Sequence, residues 1–307
     1  MQEARLALPQ KTREIRNVVC DSTRWNGFPF RDGDVVIATY SKTGTTWTQQ
    51  IVGQLILGGA ETVDLFTVSA WVDFRLIPFE SMMETLQAQT HRRFLKTHLS
   101  LDSLVFHPKA KYLYVVRDGR DALWSMYNHH AGFTEEAYKM LNGIPGRIGP
   151  PLEPPKGDIV QYFHDWLDNG SEWILGMSFW QHVQGWWNAQ NLPNVMLVHF
   201  NNLKADMPGE IRRIARFLEV DIDEAKWPAI LEHCSIEYMR SSSRATPTGD
   251  LLAQVFDEGV KTFFHKGTNG RWKDVLSAAE VEKYERAVRE NLTPDCAHWL
   301  ATGKLAD

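Results

Sequence analysis

"DVVIATYSKTGTTWTQQIVGQLI", residues 34–56, is the stretch on which the fold turns. Its first part, "DVVIATY" (34–40), is short, apolar and β-branched, as a strand buried on both faces must be. Its last part, residues 45–57, carries Ile51, Val52, Leu55 and Ile56 at helical spacing. The loop 40–44 then sits at the carboxyl end of a strand, where doubly wound sheets bind ligands. Gly44 lets backbone approach closely, and the amides of 43–47 open a helix whose dipole favours an anion. Lys42 adds a full charge, and Thr45 and Thr46 add hydroxyls that could equally cap the helix. The bland alternative is a capped helix beside a solvated lysine. A nucleotide P-loop would need its lysine after the second glycine, whereas here lysine precedes the only one.

Working outward, "RFLKTH" (93–98), "KYLYVVRD" (111–118) and "NVMLVHF" (194–200) read as further buried strands. Residues 210–219 place Ile211, Ile214, Ala215 and Leu218 on one helical face. Strands alternating with helices predict an α/β class: one three-layer α/β/α domain over residues 1–307, with a central, mostly parallel sheet. Residues 141–158 are rich in proline and glycine and predict an irregular loop, either an acceptor lid or a passive insertion. In the tryptophan-rich stretch 166–187, Trp173, Trp180 and Trp187 repeat on one helical face and read as packing, with Trp166 and Trp186.

With 43% hydrophobic and 23% charged residues, the chain has the balance of a globular domain. A net charge of −5 argues against a nucleic-acid partner, so any anion site must be built locally. Cys20, Cys234 and Cys296 are widely spaced and read as reduced thiols. The N-terminal residues lack a signal-peptide core and no run of about 18 apolar residues occurs. The expectation is a soluble, cytoplasmic protein with no membrane partner.

"YVVRDGRDALWSMYNH" (114–129) repeats the strand–turn–helix design, with Arg117 at the strand tip, Gly119 in the turn and Ser125 on the helix. A guanidinium there can grip a phosphate with two hydrogen bonds, or merely pair with Asp118 or Asp121. "FFHKGTNGRWKD" (263–274) is a third basic, glycine-containing loop.

Taken together, these segments resemble the cytosolic sulfotransferases, in a bacterial form, which use 3′-phosphoadenosine 5′-phosphosulfate (PAPS). "TYSKTGTTW" is similar to that family's 5′-phosphosulfate loop, "VVRDGRDALWS" to its 3′-phosphate strand and helix, "HKGTNGRWK" to its C-terminal 3′-phosphate loop (259–275), and "FLKTH" to the segment supplying its catalytic histidine. The resemblance implies that Lys42 with Thr43, Gly44, Thr45 and Thr46 holds the phosphosulfate through amides and hydroxyls. It implies that Trp47 stacks on adenine, near Phe200 and Cys234, and that Arg117 and Ser125 bind the 3′-phosphate. His265, Lys266 and Gly267 would close over it. His98 would be the general base, with Lys42 and Lys96 neutralising charge on the transferring group and Ser125 completing the catalytic set. Trp71, Phe74 and Tyr127 would shape the acceptor pocket. PAPS is then the sulfuryl donor, adenosine 3′,5′-bisphosphate (PAP) the product, and no metal is required.

The chain departs from the family where His265 stands for arginine, Phe200 for tyrosine and Cys234 for threonine. The dimerisation segment survives only as "KDVLSAAEVE", so a monomer or weak homodimer is expected. The remaining histidines lack comparable context, and His129–His130 reads as a helix surface pair. The competing readings are a P-loop-type phosphotransferase, which Mg²⁺ dependence would reveal, and a non-catalytic nucleotide-binding protein, which would have no need of His98.

Overall fold

The protein, seen in a computed structural model, is described at residues 7–169, 176–265 and 267–305. Its centre is a sheet of β1 (Val35–Thr39), β2 (Phe94–Thr97), β3 (Lys111–Val116) and β4 (Val195–His199), ordered β2-β1-β3-β4. All of its pairings are parallel. β1 is buried at every position, which explains its unbroken apolar run.

α1 (Thr45–Ile56) follows β1, and α2 (Leu65–Val68) and α3 (Phe79–Ala88) lead to β2. α4 (Gly119–Ala131) follows β3, and α5 (Glu135–Asn142), α6 (Ile159–Asp168) and α7 (Phe179–Asn188) lead to β4. After β4 come α8 (Phe200–Ala205), α9 (Met207–Leu218), α10 (Trp227–His233), α11 (Ile236–Ser242), α12 (Pro247–Val255) and α13 (Val260–Phe263). α14 (Ala278–Asn291) and α15 (Pro294–Thr302) complete the described helices.

Alternate strand residues feed two separate cores, as the pleat dictates. Val35, Ile37, Leu113, Val115 and Val198 pack against α1, α9 and α10. Val36, Ala38, Tyr112, Tyr114 and Val116 face α4, α6, α7, α14 and α15. This is the three-layer α/β/α arrangement expected. Each fully buried aliphatic side chain in these layers contributes roughly 1.5–3 kcal/mol.

Boundaries shift for local reasons. The third strand stops at Val116 because Asp118 caps α4, accepting from the Arg120 amide at 2.9 Å. α9 begins at Met207, three residues before the expected start, because Asp206 accepts from the Gly209 amide at 2.9 Å and proline is tolerated in a first turn. Residues 141 and 142 belong to α5, so the irregular loop covers 143–158. The tryptophans do pack, but on two helices: buried Trp166 lies on α6, and buried Trp180, Trp186 and Trp187 lie on α7. Trp173 lies outside the described residues.

The connections after β1 and β3 run to opposite sides of the sheet. The crevice beyond their carboxyl ends is therefore the topological switch point. Thr39 pairs with Val115, so loop 40–44 and Arg117 emerge side by side.

Candidate active site

The loop after β1 is tightly held. Thr43 is fully buried, and its hydroxyl donates toward the carbonyls of Tyr40 and Val115, each at 2.8 Å. Its one proton is thereby committed to backbone, so the Thr43 hydroxyl cannot donate to an anion as expected. Lys42 has φ +67, the left-handed region that non-glycine residues enter at a cost of roughly 1 kcal/mol. Gly44 has φ +121, and a Cβ there would lie 2.9 Å from the Phe200 ring. Thr45 Oγ1 lies 2.7 Å from Thr39 Oγ1, and Thr46 is half-buried in the first turn of α1.

Phe200, at the start of α8, joins the loop after β1 to the residues just past β3. Its ring lies 5.1 Å from the Arg117 guanidinium and 5.3 Å from the Trp47 ring. Trp47 donates its indole N–H to the Cys234 carbonyl at 2.8 Å. Trp47, Phe200 and Cys234, from α1, α8 and the end of α10, are thus one cluster beside the crevice. Burial pushes the Cys234 thiol up to about 12, which keeps it inert.

Arg117 is buried, with Nη2 bonded to the Asp121 carbonyl. Its Nε is buried without a partner among the described residues. Burial brings this guanidinium down to about 10, offset in part by Asp121 and Asp118. An orphan N–H on a buried cation fits an oxyanion that completes its hydrogen bonding. Ser125 lies half-buried on α4.

The C-terminal loop closes onto the same region. The Gly270 amide donates to Asp121 Oδ1 at 2.7 Å, and Lys204 donates to the Gly267 carbonyl at 2.7 Å. His265 is exposed; its carbonyl accepts from Arg240 at 2.7 Å, and its Nδ1 lies 3.4 Å from an Arg271 nitrogen. Two arginines therefore flank His265. Lys266 lies outside the described residues.

His98 sits just past β2 and is buried. Its Nδ1 is 2.9 Å from the Thr39 carbonyl oxygen and 3.0 Å from Thr39 Oγ1. A carbonyl only accepts, so the ring proton is on Nδ1 and Nε2 carries the basic lone pair. His182, itself bonded to Tyr114, reaches the His98 carbonyl with Nε2 at 3.2 Å and steadies the backbone. Burial, then Lys96, holds the His98 imidazole well below its ordinary range.

Lys96 and Lys42 both bear on this imidazole. Burial lowers Lys96 to about 8, with Asp73 opposing the shift, and places its ammonium 4.1 Å from the Trp71 ring. Lys42 is lowered to about 7 by burial, then by Lys96 and Arg117. Its Nζ lies 3.0 Å from His129 Nδ1 and 5.2 Å from the Phe263 ring. The expected surface pair His129–His130 is therefore corrected: His130 is buried against the Tyr162 hydroxyl at 2.8 Å, and His129 faces the crevice. α4 packs on α6 and α13 along that side, so its histidines turn inward.

Trp71 stacks on Phe74 at 4.3 Å and meets the His98 ring edge-on at 4.9 Å. Tyr127 donates to the Gly157 carbonyl at 3.4 Å, and Arg75 donates to the Gly146 carbonyl at 2.7 Å. Both thus tether the 143–158 loop. Sequence reasoning missed Asp73, a fully buried carboxylate taking indole N–H bonds from Trp25 at 3.1 Å and Trp71 at 2.8 Å. It also missed Thr39, Phe263 and His129. Thr39 was legible as the last strand residue before the loop; the others had no local signal.

The sulfotransferase domain model matches residues 32–294. A glycolipid sulfotransferase from Mycobacterium bovis is 32% identical over 310 residues, covering 94% of each chain. Rat sulfotransferase 1A1 is 27% identical, covering 86% of this chain and 85% of its own. The crystal structure of mouse sulfotransferase SULT7A1 complexed with PAP superimposes with a TM-score of 0.68 at 19% identity, covering 91% of this chain and 92% of that one.

Proposed function

The chain belongs to the sulfotransferase domain family, and we propose that it carries a sulfuryl group from PAPS to the hydroxyl or amine of a small-molecule acceptor, with His98 as general base. The observation that carries this reading is the His98 tautomer: Nδ1–H rests on the Thr39 carbonyl at 2.9 Å, leaving Nε2 to take a proton.

Arg117, with its orphan Nε, and Ser125 would bind the 3′-phosphate, flanked by His265, Lys266 and Gly267. Trp47, Phe200 and Cys234 would frame the adenine. Lys42, Gly44 and the amides of Thr43, Thr45 and Thr46 would take the 5′-phosphosulfate at the start of α1. As the acceptor oxygen forms its bond to sulfur, its proton passes to His98 Nε2. The bond from sulfur to the 5′-phosphate oxygen breaks, and its electron pair leaves with PAP. Lys42 and Lys96 would stabilise that charge, and general-base removal of the proton is worth about 10²–10⁴ in rate. The scheme asks for no metal ion, so turnover should survive a chelator.

The stacked Trp71–Phe74 pair, beside His98, suits an acceptor with an apolar body next to its hydroxyl: a phenol, an alcohol or a glycolipid, the last being the acceptor for which the mycobacterial relatives are named. We place the protein in the cytoplasm as a monomer or weak homodimer; its cysteines are free and buried. The test is incubation with PAPS and a panel of phenols, alcohols, amines and glycolipids, read by mass spectrometry for gain of a sulfo group. Transfer to none of them, or phosphoryl transfer dependent on Mg²⁺, would overturn the reading in favour of a binding protein or a phosphotransferase.

A further inference from the structure

We propose that His129 is a positioning residue for Lys42: its ring Nδ1 accepts a hydrogen bond from the Lys42 ammonium and keeps that cation charged and aimed into the crevice before the donor arrives. This rests on the reading that Lys42 acts on the donor.

The contact itself is 3.0 Å. An ammonium only donates, so Nδ1 is the acceptor and the ring proton is on Nε2. Lys42 is otherwise flanked by the Phe263 ring at 5.2 Å. His129 sits in an aromatic wall, 4.9 Å from Phe133, 4.9 Å from Phe256 and 6.1 Å from Phe263. Packing alone would be served there by leucine or phenylalanine; the imidazole adds one acceptor.

The surroundings make that acceptor matter. The groups facing Lys42 and His129 are Lys96 on β2, His98 just after it, Arg117 just after β3 and His130 on α4. They are cationic or neutral, so each disfavours the Lys42 charge or leaves it alone. Lys42 titrates at about 7 through burial, Lys96 and Arg117, which puts its charge in balance near neutral pH. Burial and Lys42 hold His129 well below the ordinary histidine range, so its Nδ1 stays available to accept. Removing the acceptor tilts Lys42 toward a neutral amine, which offers no charge to a departing phosphate.

His129→Leu removes the acceptor at similar volume, and His129→Asn returns one near the Nδ1 position. PAP is titrated into the full chain by calorimetry across pH, in buffers of differing ionisation enthalpy, so that affinity and protons taken up are read together. For His129→Leu, affinity at about pH 8 should fall about tenfold, the effect of lowering a required group by one pH unit. Proton uptake should grow, with its maximum moved to lower pH. His129→Asn should lie close to the native protein. A His129→Leu chain with native affinity and native proton uptake overturns the proposal, as does a His129→Asn chain that loses as much as His129→Leu.

Should His129→Leu not fold, the ring-nitrogen shifts of His129 in the native chain are compared with those in Lys42→Met. A change at Nδ1 supports the contact, and identical shifts overturn it. Turnover of Lys42→Met is followed alongside: full activity there removes the premise about Lys42, whereas loss there with unaltered His129→Leu removes only the role given to His129.

Discussion

The proposed mechanism gives chemistry to His98 and binding to Arg117, and substitution should separate them. His98→Ala should lower kcat by about 10²–10⁴ while PAP affinity by calorimetry stays unchanged. Near-native turnover in that variant, on a hydroxyl acceptor, refutes the base assignment. Arg117→Met should do the reverse, weakening PAP binding about 10–100-fold, the worth of one or two hydrogen bonds to a charged group. The pH profile follows from signs. As the proposed base His98 would act unprotonated, and burial depresses its pKa, so kcat/KM should hold its plateau down to below the ordinary histidine range. In the same proposal Lys42 and Lys96 would act protonated, so activity should fall as pH rises through about 7 to about 8. A rate still climbing above that window would show that neither lysine needs its charge. At this scale the sequence exposed the residues that sit in loops with glycine, because backbone geometry leaves a local trace. His129 left none: its role depends on Lys42 folding back across 87 positions of sequence.

The strand–turn–helix elements were legible because each carries its own periodicity and punctuation. β1 and α1 need only their apolar spacing and the Lys42–Gly44 turn to be recognised, and α9 only its face of Ile211, Ile214, Ala215 and Leu218, all buried. Caps moved the ends, since Asp118 and Asp206 compete for amides that periodicity does not see. Thr43 escaped for a similar reason: the Val115 carbonyl that captures its hydroxyl belongs to another strand. The turn itself can be tested. Gly44→Ala puts a Cβ 2.9 Å from the Phe200 ring at φ +121, a conformation costing about 1–3 kcal/mol for a side-chain residue. Thermal melts should shift down, and PAP affinity should fall with them because Phe200 also packs on Arg117 and Trp47. Unaltered melting and affinity together would mean that the loop has room the geometry denies.

Over the whole molecule, parallel strands put the proposed site at one end of the sheet and leave the other end to stability. The topology explains why motifs far apart in sequence converge: chain reversal at β1 and β3 opens one crevice, and every strand delivers its carboxyl end there. Which loops then cover the crevice, and which aromatic walls form, depends on packing between α4, α6 and α13, and no local pattern encodes that. At the opposite end, Asp34 and Arg93 immediately precede β1 and β2. Both side chains are 1% exposed, with Arg93 Nε donating to Asp34 Oδ1 at 2.9 Å and Nη2 to the Pro29 carbonyl at 2.9 Å. Removing one partner strands a buried charge, which costs about 3–5 kcal/mol, so Asp34→Ala should lower the melting temperature by roughly 5–15 °C. The pair is separated from the crevice by the length of the strands, so folded Asp34→Ala protein should keep the native KM for PAPS and the native pH profile when assayed well below its melt. A variant that melts normally would show that water reaches the pair, and one that melts early with an altered pH profile would show that the two ends of the sheet are coupled.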